Sequence, residues 1–121
     1  AVVMVKTREE VDSISAAADI AAKVYDHVLR TVKAGMTEND IAAEVAYISK
    51  KLGSEGEGFE TIVASGVRGA LPHGRASNKI IRHGELVTLD FGCRVRGFYS
   101  DVTRTFAVGE PPMFDRAIFS L

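Results

Sequence analysis

The stretch Glu85–Phe106, ELVTLDFGCRVRGFYSDVTRTF, decides how this chain is read. β-Branched and aromatic residues dominate it, and Arg94-Val95-Arg96-Gly97 reads as a turn, so the stretch predicts a hairpin of two strands. Two aspartates, Asp90 and Asp101, stand inside the strands, where aspartate is normally disfavoured. With Val95 and Arg96 as a two-residue loop, Asp90 lies opposite Asp101, Thr88 opposite Thr103 and Leu86 opposite Thr105. These residues share one face with Tyr99. The other face pairs Leu89 with Val102 and Cys93 with Phe98 and is suited to packing. A three-residue loop ending on Gly97 is the alternative. Without a compensating bulge it sends the two aspartates to opposite faces.

Directly opposed carboxylates about 5 Å apart repel by roughly 3 kcal/mol at an effective dielectric of about 20. No lysine or arginine is expected on their face, because Arg104 points to the other side. Three arrangements relieve the pair: protonation of one member, full exposure to water, or a bridging cation. Oxygen donors favour hard or borderline divalent ions such as Mn²⁺, Mg²⁺ or Zn²⁺. The residues alone leave both a metal site and a pair of solvent-facing aspartates open.

Working outward, two helices precede the hairpin. Thr7-Arg8-Glu9-Glu10 has the form of a capping box, and Val11, Ile14, Ala18, Ala21, Val24, Val28 and Val32 recur at helical spacing. Lys33 in the last turn and Gly35 just beyond it predict where that helix stops. Thr37 caps a second helix, with Glu38 and Asp40 at its positive end and Ile41, Val45, Ile48 and Leu52 as its apolar stripe. A glycine-rich loop, Gly53–Gly58, leads to a strand over Phe59–Ser65. An irregular segment from Gly66 to about Asn78 contains Leu71-Pro72-His73-Gly74. Residues 1–6 read as an apolar lead-in, and the terminal MFDRAIFSL as the start of a helix cut short. The fold class expected is α+β, with both helices covering one face of an antiparallel sheet.

Composition narrows the function classes. The chain has 121 residues, enough for one core, with 46% hydrophobic and 26% charged residues. A net charge of −1 gives no general attraction to nucleic acid or anionic membrane. No apolar run approaches the ~20 residues of a membrane span, and no secretory signal pattern is present. A single cysteine, Cys93, fits a reducing, cytoplasmic setting. Cys93 reads as a buried small hydrophobe, and His27 and His83 as structural. Ser65 and Ser100 lack the setting of a nucleophile elbow. His73, in a glycine-flanked loop, is by itself an ordinary exposed histidine.

The segments FETIVASG, ALPHG, GELVTLDFG and GFYSDVTRTFAVGEPP, together with VKTREEVDSISAAADIAAKV and KAGMTENDIA, resemble the proline-specific metallo-exopeptidases. These are the Xaa-Pro aminopeptidases and Xaa-Pro dipeptidases, relatives of methionine aminopeptidase with the pita-bread fold. The LPHG…TLDFG wording is closer to the proline-specific branch than to methionine aminopeptidase. The resemblance spans nearly the whole chain. It implies that residues 1–121 are the first of two pseudo-symmetric halves of a catalytic domain. It implies two divalent metal ions (Mn, Co or Zn), with Asp90 chelating one and Asp101 bridging both. His73 is then the catalytic loop histidine that contacts substrate, and Thr103 supports the ligands from behind. The reaction implied is hydrolysis of the amide bond to a penultimate proline, on a peptide substrate.

The family's other three ligands, a histidine and two glutamates, belong to its second half, and no residue after Asp101 matches them. Alone, the chain is expected to be inactive or weakly active. Two further readings follow. Two copies could meet as a homodimer with a four-aspartate metal site, or the chain could be a non-catalytic binding module. The partner is thus expected to be a second copy or a complementing second half, with no nucleic acid and no membrane.

Overall fold

A computed structural model describes residues 7–56, 61–66 and 75–109. Two helices, α1 (Arg8–Thr31) and α2 (Glu38–Lys51), precede three strands, β1 (Ile62–Ser65), β2 (Leu86–Val95) and β3 (Phe98–Ala107). The strands form an antiparallel sheet of order β1-β2-β3. The α+β class and the packing of both helices on one sheet face are as the sequence predicts. The lead-in 1–6, the residues of the FETIVAS strand before Thr61, the segment 67–74 and residues 110–121 lie outside the described residues.

Both helices begin on threonine. Thr7 Oγ1 accepts from the Glu10 N–H at 3.1 Å and so satisfies one of the free donors at the start of α1. At α2 the arrangement is reciprocal. Thr37 Oγ1 accepts from Asp40 N–H at 3.0 Å, and Asp40 Oδ2 accepts from Thr37 N–H at 2.9 Å. The first helix stops earlier than Gly35 suggests: Val32 is already extended, with φ −69° and ψ 133°. Val32 is buried, so leaving the helix lets its side chain join the core.

The buried stripe of α1 is Ser13, Ala17, Ala21, Val24 and Val28. It matches the expected one from Ala21 onward but not in the first turns, where Val11 is 47% exposed. Ser13 occupies the inward position because its hydroxyl is fully used: Oγ donates to Glu9 O at 2.9 Å and accepts from Arg96 Nε at 2.7 Å. In α2, Ile41 and Val45 are buried, and Leu52 is exposed. Small residues on α1 let it lie close to the sheet. Its Ala17, Ala21 and Val24 pack in one cluster with Val87, Leu89, Phe91 and Cys93 of β2 and Phe106 of β3. Each large apolar side chain buried there contributes roughly 1.5–3 kcal/mol. Tyr25 of α1 meets Phe106 edge-on, with ring centroids 6.2 Å apart.

The hairpin turn sits one residue later than expected. Val95 pairs with Phe98, so the two loop residues are Arg96 and Gly97, with φ of 48° and 83°. A turn of this kind needs positive φ at both positions, which a β-branched valine resists and a glycine accepts. The carboxylate of Glu55 closes the turn by accepting from the N–H groups of Arg96 and Gly97. The strand β3 pairs with β2 along one side only among the described residues.

Candidate metal centre

The displaced turn resets the register by two residues. Asp90 is opposite Thr103, Gly92 is opposite Asp101, and Thr88 is opposite Thr105. Asp90 and Asp101 are therefore diagonal neighbours rather than a facing pair. Since side chains alternate with period two, a shift of two keeps both on the same face. The hydroxyls of Thr88 and Thr105, 3.3 Å apart, confirm which residues share that face. The expected pairings of Leu89 with Val102 and of Cys93 with Phe98 are likewise replaced by Leu89–Arg104 and Cys93–Ser100. The division into an apolar and a polar face survives: Val87, Leu89, Phe91 and Cys93 are completely buried, whereas Asp101, Thr103 and Tyr99 are exposed.

Position in the sheet makes the two carboxylates unequal. Asp90 is on the central strand, between Ile62 of β1 and Thr103 of β3, and is half-buried. Asp101 is on the edge strand and exposed. Diagonal neighbours have side chains about 7 Å apart, farther than facing ones. Their repulsion is correspondingly weaker, and water around Asp101 screens it further. Neither carboxylate has a hydrogen-bond or ion-pair partner among the described residues. Both therefore keep their oxygen lone pairs open to an external donor or cation.

Arginine is not absent from this face. Arg94 has the same parity as Asp90 and lies opposite Tyr99, with its guanidinium 5.9 Å from the Tyr99 ring centroid. It is held toward Glu55, with Nε 3.6 Å from Oε1, so it neutralises Glu55 rather than the aspartates. The expectation for Arg104 holds: it lies on the opposite face, 5.9 Å from the Tyr25 ring centroid.

Among the described residues no group of three histidine, cysteine or acidic side chains could enclose a metal ion. The fit to a divalent cation is thus partial. Two hard oxygen donors on one face of a rigid hairpin suit such an ion, and further donors must come from beyond the described residues. Thr103, expected to support the ligands, is the direct cross-strand partner of Asp90. His73 lies outside the described residues.

The remaining candidates are structural. Cys93 is completely buried with Sγ 3.9 Å from Ser49 Oγ, and burial pushes its thiol pKa up. His27 Nε2 is 2.8 Å from Glu44 Oε1 and ties α1 to α2. Sequence reasoning missed Glu38. Its sequence position suits an acid at a helix start, yet it is completely buried and accepts from both Ser65 and Ser77. Only the two serines could have signalled it, and they lie 27 and 39 residues away.

The sequence pattern of metallopeptidase family M24 matches residues 12–120. The chain is 42% identical over 118 residues to the Xaa-Pro dipeptidase of Pyrococcus furiosus, covering 98% of this chain and 34% of that protein. The structure of the Xaa-Pro dipeptidase from Bacillus anthracis is similar with a TM-score of 0.85 at 43% identity, covering 95% of this chain and 32% of that one. The X-Pro aminopeptidase from Thermotoga maritima gives a TM-score of 0.83 at 42% identity, covering 90% and 31%. The chain spans about a third of the length of the relatives it matches.

Proposed function

This chain belongs to metallopeptidase family M24, and from that premise we propose that it supplies the aspartate half of a dinuclear Xaa-Pro peptidase site. The observation that carries the reading is the pair Asp90 and Asp101, on one sheet face and without protein partners among the described residues. Residues 1–121 act as one of two pseudo-symmetric halves of a catalytic domain. The substrate is a peptide with proline at its second position, as the names of the relatives suggest.

Asp90, on the central strand, and Asp101, on the edge strand, would be the residues of this chain that hold the divalent ions. Divalent ions bound there, Mn²⁺, Co²⁺ or Zn²⁺, would lower the pKa of water and polarise the scissile carbonyl. Thr103, the cross-strand partner of Asp90, would support that carboxylate as a ligand. The apolar face beneath, packed on α1, keeps the hairpin from yielding when the carboxylates are pulled together. His73 contacts the substrate near the scissile bond. The remaining ligands come from a second half, carried by another stretch of polypeptide or by a second copy of this one.

Titration calorimetry with Mn²⁺, Co²⁺ and Zn²⁺, followed by hydrolysis of Ala-Pro and of an Xaa-Pro tripeptide, tests the proposal. Divalent affinity lost in Asp90→Asn and Asp101→Asn is the expected result. Unchanged affinity in both variants would reject the site.

A further inference from the structure

The carboxylate of Glu38 is the most fully engaged acid among the described residues and takes no part in the proposed metal site. Its Oε2 accepts from Ser65 N–H at 2.8 Å and Ser65 Oγ at 2.7 Å. Its Oε1 accepts from Ser77 N–H at 3.1 Å and Ser77 Oγ at 2.7 Å. The group is completely buried. A buried carboxylate is costly unless its oxygens are satisfied, and here each takes a backbone and a hydroxyl donor.

The network reaches further. Lys79 Nζ donates to Ser65 Oγ at 3.0 Å and pairs with Glu85 Oε1 at 2.8 Å. The first N–H groups of α2 join it, Glu38 N–H donating to Lys79 O at 3.0 Å and Asn39 N–H to Ser77 O at 2.9 Å. The start of α2, the end of β1 and the irregular run 77–79 thus meet at the Glu38 carboxylate, with backbone bonds from α2 to Ser77 and Lys79 beside it.

Ser65 and Ser77 bracket the eleven residues 66–76, which include His73. We infer that Glu38 is a positioning residue that clamps the two ends of this segment and so fixes the frame from which the segment is presented. Its consequence for catalysis rests on the peptidase reading above; the clamp itself does not. Fixing both ends of a segment removes most of the freedom with which it could close wrongly, and small misplacements of a reacting group are costly. A carboxylate with two oxygens about 2 Å apart serves both serines at once, which neither a hydroxyl nor a single amide oxygen can do.

Trypsin separates this role from a general contribution to stability. Arg68 and Arg75 are cleavage sites within the clamped segment, and Lys23 in α1 and Arg104 in β3 are sites outside it. In Glu38→Gln, cleavage at Arg68 and Arg75 should accelerate at least about tenfold over the wild type, while cleavage at Lys23 and Arg104 rises by less than about twofold. Where Glu38→Gln fails to fold, Ser77→Ala decides instead: it keeps the charge and removes one hydroxyl donor, and should show the same local pattern at about fivefold. Parallel acceleration at all four sites, or none at Arg68 and Arg75, overturns the clamp. Where the chain hydrolyses Ala-Pro with Mn²⁺, Glu38→Gln should lower kcat more than tenfold with KM and Mn²⁺ affinity unchanged. The tryptic pattern is read without hydrolysis, so it decides the clamp whether or not the chain is active alone.

Discussion

Asp101 lies across from Gly92, two rungs along the hairpin from Asp90, and this diagonal sets the spacing of the two candidate ligands. A facing pair would press two charges together in the metal-free protein. A diagonal pair stands apart and can approach a cation from two directions.

Replacing either aspartate should therefore separate affinity from stability. In metal-free protein, Asp101→Asn should shift unfolding free energy by no more than about 0.5 kcal/mol, since the residue is exposed and has no partner among the described residues. The same substitution should weaken Mn²⁺ binding more than about tenfold. Urea unfolding and titration calorimetry measure the two effects on one sample.

The turn provides a second handle on the site. Gly97 has φ of 83°, and any side chain there is strained. Gly97→Val should cost about 1–2 kcal/mol or more in unfolding free energy. Because Arg96-Gly97 sets the register, the variant should also bind Mn²⁺ more weakly, although no ligand has been touched. Equal affinity in a correctly folded variant would mean that the register is held elsewhere.

Acid should act partly through Glu85. Its hydrogen bond from Lys79, then that from the Arg82 N–H, holds its carboxyl below the usual glutamate range. A depressed folded pKa means the stabilisation is complete above the unfolded value of about 4.3 and disappears as pH falls through the folded one. Glu85→Gln should lower stability at pH 7 and flatten the stability profile below about pH 4.3. Denaturant midpoints between pH 7 and pH 3 test this; parallel profiles for the variant and wild type would contradict it.

Cys93 should report unfolding. It is completely buried, and burial raises its pKa above the usual thiol range. Alkylation at pH 8 should proceed only through opening of the core, so its rate should follow stability across the variants above. A rate near that of a free thiol in native protein would show that the packing of β2 on α1 is looser than described.

The sequence showed the alternation of the hairpin and the caps of both helices because these are local. Thr7 and Thr37 bond N–H groups three residues on, and the alternation of β2 is legible within the strand itself. A turn on Val95-Arg96 puts the register two residues out, because only Gly97 tolerates the second turn position easily. The shared face of the aspartates survived that error because the shift was even. The burial of Glu38 is hidden for a different reason. Its helix-start position is ordinary, and its burial depends on serines that become neighbours only in the folded chain. The inward Ser13 and the guanidinium of Arg94 are of the same kind, each defined by a partner remote in sequence.

The one-sided pairing of β3 has a practical side. Along Phe98–Ala107, alternate N–H and C=O groups point away from β2, and among the described residues no strand receives them. A long open edge of this kind is a template for another strand, and β3 carries only Asp101 and Arg104 as charges to discourage it. Among the described residues, the edge that carries Asp101 is thus one along which a strand could add. Concentrated samples should be prepared with that in mind, because association along β3 would bring foreign backbone beside the carboxylate being studied.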